Sequence, residues 1–322
     1  TNLPTSWVLM KYDFIGDIHG HAHLLEKILL KLGYQSQGNA YVASDGERKV
    51  VFLGDYIDRG PQNRKVIEIV RSMTETGQAV ALMGNHEFNA ICYHTLSSSG
   101  NDYLRPHISK NVKQHESFLS EYQTDSAELK EIISWFRSLP IWWEDPDVRA
   151  IHACWYEPAR EFLFDHGLTD LQGQIITDDW EVFVEEHDSD NQMNPCRALE
   201  ILIKGPKMFL GKEAYIDNHG QKRKHGRFKW WNPEPKNFGE LVALGKDGSE
   251  GPFSETQFNE QQQYLYSSDK QIFFGHYAQF EMVLQPKLCC LDLRAGHGGP
   301  LFAYSWTGEK YLTAANLVSV FP

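Results

Sequence analysis

Three apolar segments in the first quarter of the chain each end in a glycine followed by a polar residue. The segments YDFIG, KVVFLG and AVALMG lead into Asp17, Asp55 and Asn85. Amphipathic stretches with helical spacing follow the first two, at residues 21–33 and 61–77. This alternation predicts parallel strands joined by crossover helices, an α/β arrangement. Because ligands of such sheets bind beyond the carboxyl ends of the strands, we expect the three polar residues to share one site.

The rest of the chain has a less regular pattern, and its predicted elements are stated here for comparison with the structure. A turn at Asp45-Gly46 predicts a hairpin that leads into the strand before Asp55, and residues 108–139 have helical spacing. Residues 156–269 are predicted to be helices and loops that decorate the core. The tail after them alternates short strands with turns, which predicts a second, more antiparallel sheet.

Composition places the chain in a broad class of protein. Of its 322 residues, 41% are hydrophobic, which supports a large core, and the formal net charge is −12. The negative charge argues against binding of bulk nucleic acid or an anionic membrane. Five cysteines without a CxxC spacing, and no apolar run long enough for a membrane span, favour the reducing cytoplasm. We predict one domain over residues 1–322, with residues 1–9 as an extension.

Oxygen and nitrogen donors accumulate where the predicted strands end. Carboxylate, imidazole and amide groups are typical ligands of Mn²⁺, Fe or Zn²⁺ rather than of a thiolate site. One carboxylate can bridge two ions, and two ions ~3.5–4 Å apart can clamp a phosphoryl group during in-line displacement. The groups come from the motifs GDIHG, GDYIDRG, GNHE, IHAC and FGHY, and they are Asp17, His19, Asp55, Asp58, Arg59, Asn85, His86, His152 and His276.

The motifs GDxHG, GDxxDRG and GNHE, in this order, resemble those of the phosphoprotein-phosphatase branch of the calcineurin-like metallophosphoesterases. The resemblance is clearest over residues 11–90. It implies a four-layer α-β-β-α sandwich with two mixed sheets. It also implies a dinuclear metal site at the carboxyl ends of the strands.

The resemblance implies six metal ligands and two divalent ions, with Mn²⁺ expected and Fe or Zn²⁺ as alternatives. A hydroxide shared by the ions would attack phosphorus in line, because two cations lower its pKa. Asp17 and His19 would bind the first ion, and Asp55 would bridge the two ions. Asn85, His152 and His276 would bind the second ion.

The same resemblance assigns the catalytic and substrate-binding residues. His86 would protonate the leaving oxygen, and Asp58 would hold that imidazole in its charged form. Arg59 would bind two phosphate oxygens in bidentate fashion. Asn85 would contact the substrate as well as the metal.

The later part of the chain departs from the eukaryotic Ser/Thr enzymes. Where they have a histidine followed by two glycines, this chain has His152 followed by ACW. Their second phosphate-binding arginine has no assigned counterpart. The segment CLDLRAGHGGPLFAYSW instead resembles the ending of bacterial symmetrical diadenosine tetraphosphatases and related phosphatases, and Arg294 within it is the predicted substitute phosphate ligand.

Three functional hypotheses follow. The first is a phosphatase that hydrolyses phosphomonoesters, either phosphorylated protein side chains or small phosphoesters. The second is a symmetrical dinucleoside tetraphosphate hydrolase, for which the basic and aromatic stretch at residues 219–231 could bind a polyanion; a solvated insertion with two core tryptophans is the favoured alternative for that stretch. The third is a catalytically silent protein that binds phosphorylated ligands.

Overall fold

Two five-stranded mixed β-sheets lie at the centre of the protein in its computed structural model. The structure describes residues 10–184, 192–210, 215–216, 222–243 and 252–322. Within these ranges the strands are β1 Lys11–Ile15, β2 Tyr34–Gln37, β3 Ala40–Ala43, β4 Arg48–Phe52, β5 Ala79–Ala81, β6 Trp142–Glu144, β7 Val148–Ile151, β8 Lys207–Phe209, β9 Tyr215–Ile216, β10 Lys222–Arg223, β11 His225–Phe228, β12 Val242–Ala243, β13 Gln271–Phe274, β14 Val283–Gln285, β15 Leu288–Cys290, β16 Leu301–Trp306 and β17 Leu317–Val320. The helices are α1 Ala22–Lys31, α2 Asn63–Glu75, α3 Asn85–Tyr93, α4 Ser109–Glu121, α5 Ala127–Arg137, α6 Glu157–Asp165, α7 Pro195–Lys204, α8 Phe238–Leu241 and α9 Glu255–Gln262, with 3-10 turns at Trp180–Phe183, Ala295–His297 and Ala314–Asn316.

The first sheet has the strand order β17-β16-β1-β4-β5, and β1, β4 and β5 are parallel. Ile15 pairs with Phe52, and Phe52 pairs with Ala81, so the three strands end at one edge. Alternate residues of each strand face opposite sides of the sheet. Ile15 and Phe52 share a core cluster with α1 and α2, whereas Phe14 faces the second sheet.

The second sheet has the order β14-β15-β13-β7-β6, and β7, β13 and β15 are parallel. The rings of Phe14 and Phe273 stack at 3.9 Å between the two sheets. On the far side of the second sheet, Ile272 and Phe274 belong to the same cluster as buried residues of α6 and α7. Helices therefore cover both outer faces, and the predicted four-layer sandwich with two mixed sheets is confirmed.

The predicted hairpin at Asp45-Gly46 is wrong in its pairing. A turn is present there, with the Gly46 N–H donating to the Ala43 carbonyl, but β3 pairs with β2 rather than with β4. Strand β4 lies between β1 and β5 because Val50 to Phe52 are buried on both faces, which only a central strand allows.

Two further predicted segments divide differently in the structure. Residues 108–139 form two helices, α4 and α5, because the chain turns at Asp125, whose φ is 57°, and restarts at Ser126. The Ser126 side chain caps α5 by accepting from the Leu129 N–H at 3.1 Å. Residues 156–269 contain, besides helices, a small sheet of β8, β11 and β12 that was not predicted.

The predicted second sheet made from the tail is also wrong. Strands β13, β14 and β15 join the second sheet beside β7, whereas β16 and β17 complete the first sheet beside β1. All four residues of β13 are buried, so this strand needs a central position. The last part of the chain therefore contributes strands to both sheets.

Composition led us to expect no disulfide framework and no membrane-spanning segment. All five cysteines lie in the described residues and none forms a disulfide. Among the helices that the structure describes, none has the length and apolar character needed to cross a membrane.

Candidate metal and phosphate site

The loops after five strands meet at one edge of the sandwich. The first sheet contributes the residues after β1, β4 and β5, and the second contributes those after β7 and β13. Asp55 lies between two imidazoles: its Oδ2 is 3.5 Å from His19 Nε2, and its Oδ1 is 3.4 Å from His152 Nε2. All three side chains are buried.

Three more predicted ligands surround this carboxylate. The Oδ1 atom of Asn85 lies 3.1 Å from His152 Nε2 and 2.7 Å from His276 Nδ1. Asp17 Oδ2 lies 4.0 Å from His19 Nε2 and accepts the His276 backbone N–H at 3.1 Å. The structure thus brings together all six residues that the sequence placed around the metal.

The donor atoms fit a pair of divalent cations. His19 Nδ1 donates to the Ile57 carbonyl at 2.9 Å, and His152 Nδ1 donates to the Leu53 carbonyl at 2.7 Å. These bonds fix each ring and leave its Nε2 directed at Asp55, as the outer hydrogen bond of a metal-binding histidine does. Two sets of three side chains are close enough to hold an ion each, and Asp55 belongs to both; the sets are His19, Asp55 and His86, and Asp55, His152 and His276.

Burial shifts the proton affinities of these groups. It lowers the pKa of His19 and of His276 well below the usual value, so both imidazoles are neutral, the form that binds a metal. It raises the pKa of Asp17. Against the effect of burial, the His152 imidazole lowers the pKa of Asp55, and Asp55 raises that of His152 to about 10. A bound cation would take the place of the proton on His152.

The predicted catalytic pair is in direct contact. His86 Nδ1 lies 2.5 Å from Asp58 Oδ2, and both side chains are buried. The second oxygen of Asp58 lies 2.7 Å from Nδ1 of His115, a residue of α4. Although burial opposes it, hydrogen bonds from His115 and His86 lower the pKa of Asp58 well below its usual range. Asp58 is therefore a carboxylate that binds two imidazoles.

His115 was not predicted, because it follows no strand and no motif surrounds it. The only signal was its spacing of three residues from Phe118, which places both on the buried face of α4. The two rings stack at 4.6 Å.

Glu87 organises the loop around the central carboxylate. Its Oε2 accepts the N–H groups of Asp55 and Gly84 at 2.8 and 2.9 Å, and its Oε1 accepts that of Tyr56 at 2.8 Å. Burial and the charge of Asp55 raise the pKa of Glu87 to about 7. These contacts are those of a carboxylate at a helix N-terminus, which here joins the start of α3 to the loop after β4.

Several site residues have backbone conformations that L-amino acids rarely adopt. Each such residue costs about 1–3 kcal/mol, and such conformations concentrate at functional sites. The described non-glycine residues with positive φ include six of the predicted site residues: His19, Asp55, Asp58, Arg59, His276 and Arg294.

Two of the glycines that precede ligands are needed for close approach rather than for a turn. A Cβ on Gly84 would come closer than 3.0 Å to the backbone nitrogen and the carboxylate of Asp55. A Cβ on Gly275 would meet the Asp17 carboxylate in the same way. Neither glycine has positive φ, so both positions require glycine for space rather than for a left-handed backbone.

The predicted phosphate-binding arginines have different surroundings. Arg59 Nη1 lies 2.8 Å from Nε2 of His297, an exposed histidine that sequence reasoning assigned no role. The Arg294 guanidinium lies 4.1 Å from the centre of the Phe280 ring. The loop that carries Arg294 does approach the site, since a Cβ on Gly296 would contact His19 and Arg59, but His297 is the residue of this loop seen bonded to Arg59.

The basic and aromatic stretch lies only partly in the described residues. Trp230 and Trp231 are buried, and the Trp230 ring packs 4.6 Å from that of Phe274. These two tryptophans therefore belong to the core, as the favoured interpretation of the stretch held. Residues 219–221 of the stretch lie outside the described residues, and its five lysines and arginines lie between positions 222 and 229.

The fold is a two-sheet sandwich, and its candidate site is a cluster of histidines and carboxylates at the ends of the strands. A family described as calcineurin-like phosphoesterase matches residues 10–280. The chain belongs to this family of metal-dependent phosphoric ester hydrolases.

Individual relatives cover smaller parts of the chain. A bis(5'-nucleosyl)-tetraphosphatase PrpE [asymmetrical] of Oceanobacillus iheyensis is 46% identical over 77 residues, 24% of this chain and 30% of that protein. One of Bacillus thuringiensis is 42% identical over 126 residues, 35% of this chain and 50% of that protein. The chain thus spans between 30% and 50% of the length of these relatives. A cold-active protein-tyrosine phosphatase of a psychrophilic Shewanella is 17% identical, with a TM-score of 0.42 over 94% of this chain and 82% of that one.

Proposed function

We propose that the protein is a dinuclear-metal phosphatase that hydrolyses phosphomonoesters, either phosphorylated protein side chains or small phosphoesters. The observation that carries this proposal is that Asp55 belongs to both sets of side chains close enough to hold an ion. In the first set we assign His19 and Asp55 to the metal together with Asp17, whose Oδ2 lies 4.0 Å from His19 Nε2. We assign His86 of that set to proton transfer. A carboxylate common to two sets is what a bridged pair of ions requires. The oxygen and imidazole donors suit Mn²⁺, with Fe or Zn²⁺ as alternatives.

Asp55 and the five predicted ligands around it would hold the ions in fixed positions. When bound, the ions would supply Lewis-acid stabilisation of the charge that develops on the phosphoryl group. Asn85 is the first residue of α3, so its side chain would contact the substrate phosphate at the positive end of that helix. Strained loops held by Glu87 would keep these groups in place without reorganisation.

His86 would act as the general acid. Its Nδ1 is bound to Asp58, so the proton available to a leaving oxygen is the one on Nε2. Asp58 would stabilise the charged imidazole before the proton moves, and His115 would hold Asp58 in position. Arg59 would bind the phosphate oxygens with its guanidinium, oriented by His297.

The test of this proposal is hydrolysis of an aryl phosphate and of phosphoserine and phosphotyrosine peptides by the purified chain with added Mn²⁺. We expect turnover of the aryl phosphate and of at least one peptide. Absence of turnover with each of Mn²⁺, Fe²⁺, Co²⁺ and Zn²⁺ would contradict the proposal. Far fewer than two ions per chain by elemental analysis would then favour a silent phosphate-binding protein.

A second candidate function is hydrolysis of dinucleoside tetraphosphates. The observation in its favour is that two relatives more than 40% identical over their matched segments are named as asymmetrical bis(5'-nucleosyl)-tetraphosphatases. Chromatography of products from diadenosine tetraphosphate decides the matter. ADP alone indicates symmetrical cleavage, ATP with AMP indicates asymmetrical cleavage, and unchanged substrate excludes this function.

A further inference from the structure

A cavity of about 250 Å³ lies beside helix α3, outside the metal site. One wall is formed by Phe88, Asn89 and Cys92, which share the face of α3 that begins with Asn85. The cavity is smaller than the roughly 300–1,000 Å³ of pockets that enclose whole ligands. It therefore has room for one part of a ligand, such as an anionic group.

The opposite wall also belongs to an element that supports the metal site. Lys204 is the last residue of α7, and Lys204 and Glu200 line the cavity. The Leu202 carbonyl in the same turn accepts the N–H groups of Ala153 and Cys154, which directly follow His152. The cavity and the metal site are thus neighbours that share two helices.

Two cationic side chains in the cavity form no direct ion pair with a carboxylate of the described residues. Arg105 donates to two neutral amides, Asn89 Oδ1 at 3.1 Å and Gln114 Oε1 at 2.6 Å. Lys204 Nζ lies 5.8 Å from the centre of the Phe88 ring, and in the part of the chain that the structure describes it has no hydrogen bond or ion pair.

The one carboxylate in the cavity wall already binds two other cations. Glu200 contacts Lys207 Nζ at 2.6 Å and Arg227 Nη2 at 2.9 Å. Against burial, the charges of Arg227, Lys204 and Lys207 lower the pKa of Glu200 to about 2. Glu200 therefore interacts with three cations, and Arg105 is a further cation in the cavity wall, in a protein whose net charge is −12. Such a local excess of positive charge attracts an anion.

From these observations we propose that the cavity binds a second phosphate group of the substrate, one that is not being hydrolysed. The proposal rests on the proposed function, because it places the reacting phosphate at Asn85 and Arg59. Asn89 follows Asn85 by about one helical turn, roughly 5.4 Å along α3. A short phosphate chain can span that distance, with Lys204 and Arg105 as ligands of the distal group. The preferred substrates then carry more than one phosphate.

The test is calorimetric binding of two adenine nucleotides to the Mn²⁺-loaded protein at a fixed free Mn²⁺ concentration. The probes are AMP and the β,γ-methylene analogue of ATP, which share a base and differ in the phosphate chain. We expect the analogue to bind at least about tenfold more tightly than AMP. Lys204→Met should lower the affinity for the analogue about tenfold and that for AMP less than twofold. Lys204→Arg, which keeps the charge, should bind the analogue as tightly as the unaltered chain does.

The matched control is Lys130→Met, which removes the same charge from an exposed site on α5. It should change neither affinity. If Lys204→Met does not fold, as judged by its melting temperature, Arg105→Gln replaces it with the same expectation. Equal binding of both nucleotides by the unaltered chain, or equal weakening of both by the substitution, would overturn the proposal. Because binding needs no turnover, loss of the phosphatase activity and loss of this subsite are measured separately.

Discussion

At the scale of single residues, the site depends on side chains with two partners. Asp55 faces His19 on one side and His152 on the other, and Asp58 binds His86 and His115. Asp55 contacts two proposed metal ligands, whereas Asp58 contacts the proposed general acid. Substitutions in the two clusters should therefore have separable effects on metal content and on proton transfer.

Substitution of the central carboxylate should abolish metal binding. In Asp55→Asn the charge common to both ligand sets is lost, so we expect metal content and phosphatase activity to fall together, activity by more than about 100-fold. Elemental analysis and aryl phosphate turnover measure the two quantities. Asp45→Asn, at an exposed aspartate far from the site, is the control. Full metal content in Asp55→Asn would show that Asp55 bridges nothing.

Substitution of the proposed acid should affect catalysis without affecting metal content. In His86→Asn we expect two ions per chain and a kcat lowered by about 10²–10⁴-fold for alkyl phosphates, whose leaving oxygen needs a proton. The loss should be far smaller for p-nitrophenyl phosphate. His166→Asn, at an exposed histidine, should behave as the unaltered chain. Equal losses for good and poor leaving groups would refute the acid role.

At the scale of elements, the turn between β5 and α3 positions Asn85 and Asp55 together, because the backbone of this turn packs against the loop after β4. The N–H groups of Gly84 and Asp55 both donate to Glu87, and the His86 N–H donates to Asp55 Oδ1 at 2.9 Å. The strand end, the helix start and the loop after β4 therefore form one unit.

This unit should not tolerate a single methyl group. In Gly84→Ala the new Cβ would collide with the Asp55 backbone, so we expect reduced metal content and a lower melting temperature. Gly77→Ala is the control, since Gly77 also precedes a strand of the first sheet but has nothing within 4 Å of an added Cβ. Because Gly77 has a left-handed φ of 73°, we expect Gly77→Ala to lower the free energy of unfolding by about 1–2 kcal/mol and to leave the metal content unchanged. Similar effects of the two substitutions would contradict the close-approach explanation.

At the scale of the whole molecule, the site depends on how two sheets face one another. Asp17, Asp55 and Asn85 follow strands of the first sheet, whereas His152 and His276 follow strands of the second. The aromatic layer between the sheets, with Phe14 stacked on Phe273, sets their spacing.

Loss of this layer should destabilise the molecule. Phe273 is fully buried, so Phe273→Ala should lower the free energy of unfolding by about 3–5 kcal/mol, measured by urea denaturation. Phe164→Ala is the control: that ring is 44% exposed, and we expect its removal to cost less than about 1 kcal/mol. Comparable losses at the two positions would argue against a tightly packed layer between the sheets.

The sequence predicted the local elements of this molecule better than their pairing. The polar residues after β1, β4 and β5 were predictable, because parallel strands must end together. The partner of β3 was not, since a turn at Asp45-Gly46 is compatible with a hairpin or with a change of sheet. His115 and the cavity at Lys204 were equally hidden, because their meaning depends on residues far away in the chain.

The amino-acid sequence by itself determined the donor groups, their order and the strands that present them, because apolar runs and turn residues act over a few positions. Only the tertiary structure decided that Asp55 stands between two imidazoles and that Asp58 binds two. It also decided that Arg105 and Lys204, which form no direct ion pair with a described carboxylate, lie beside α3 in an acidic protein. These facts arise from contacts between distant segments, whose distances are set by the packing of the sheets and not by sequence spacing.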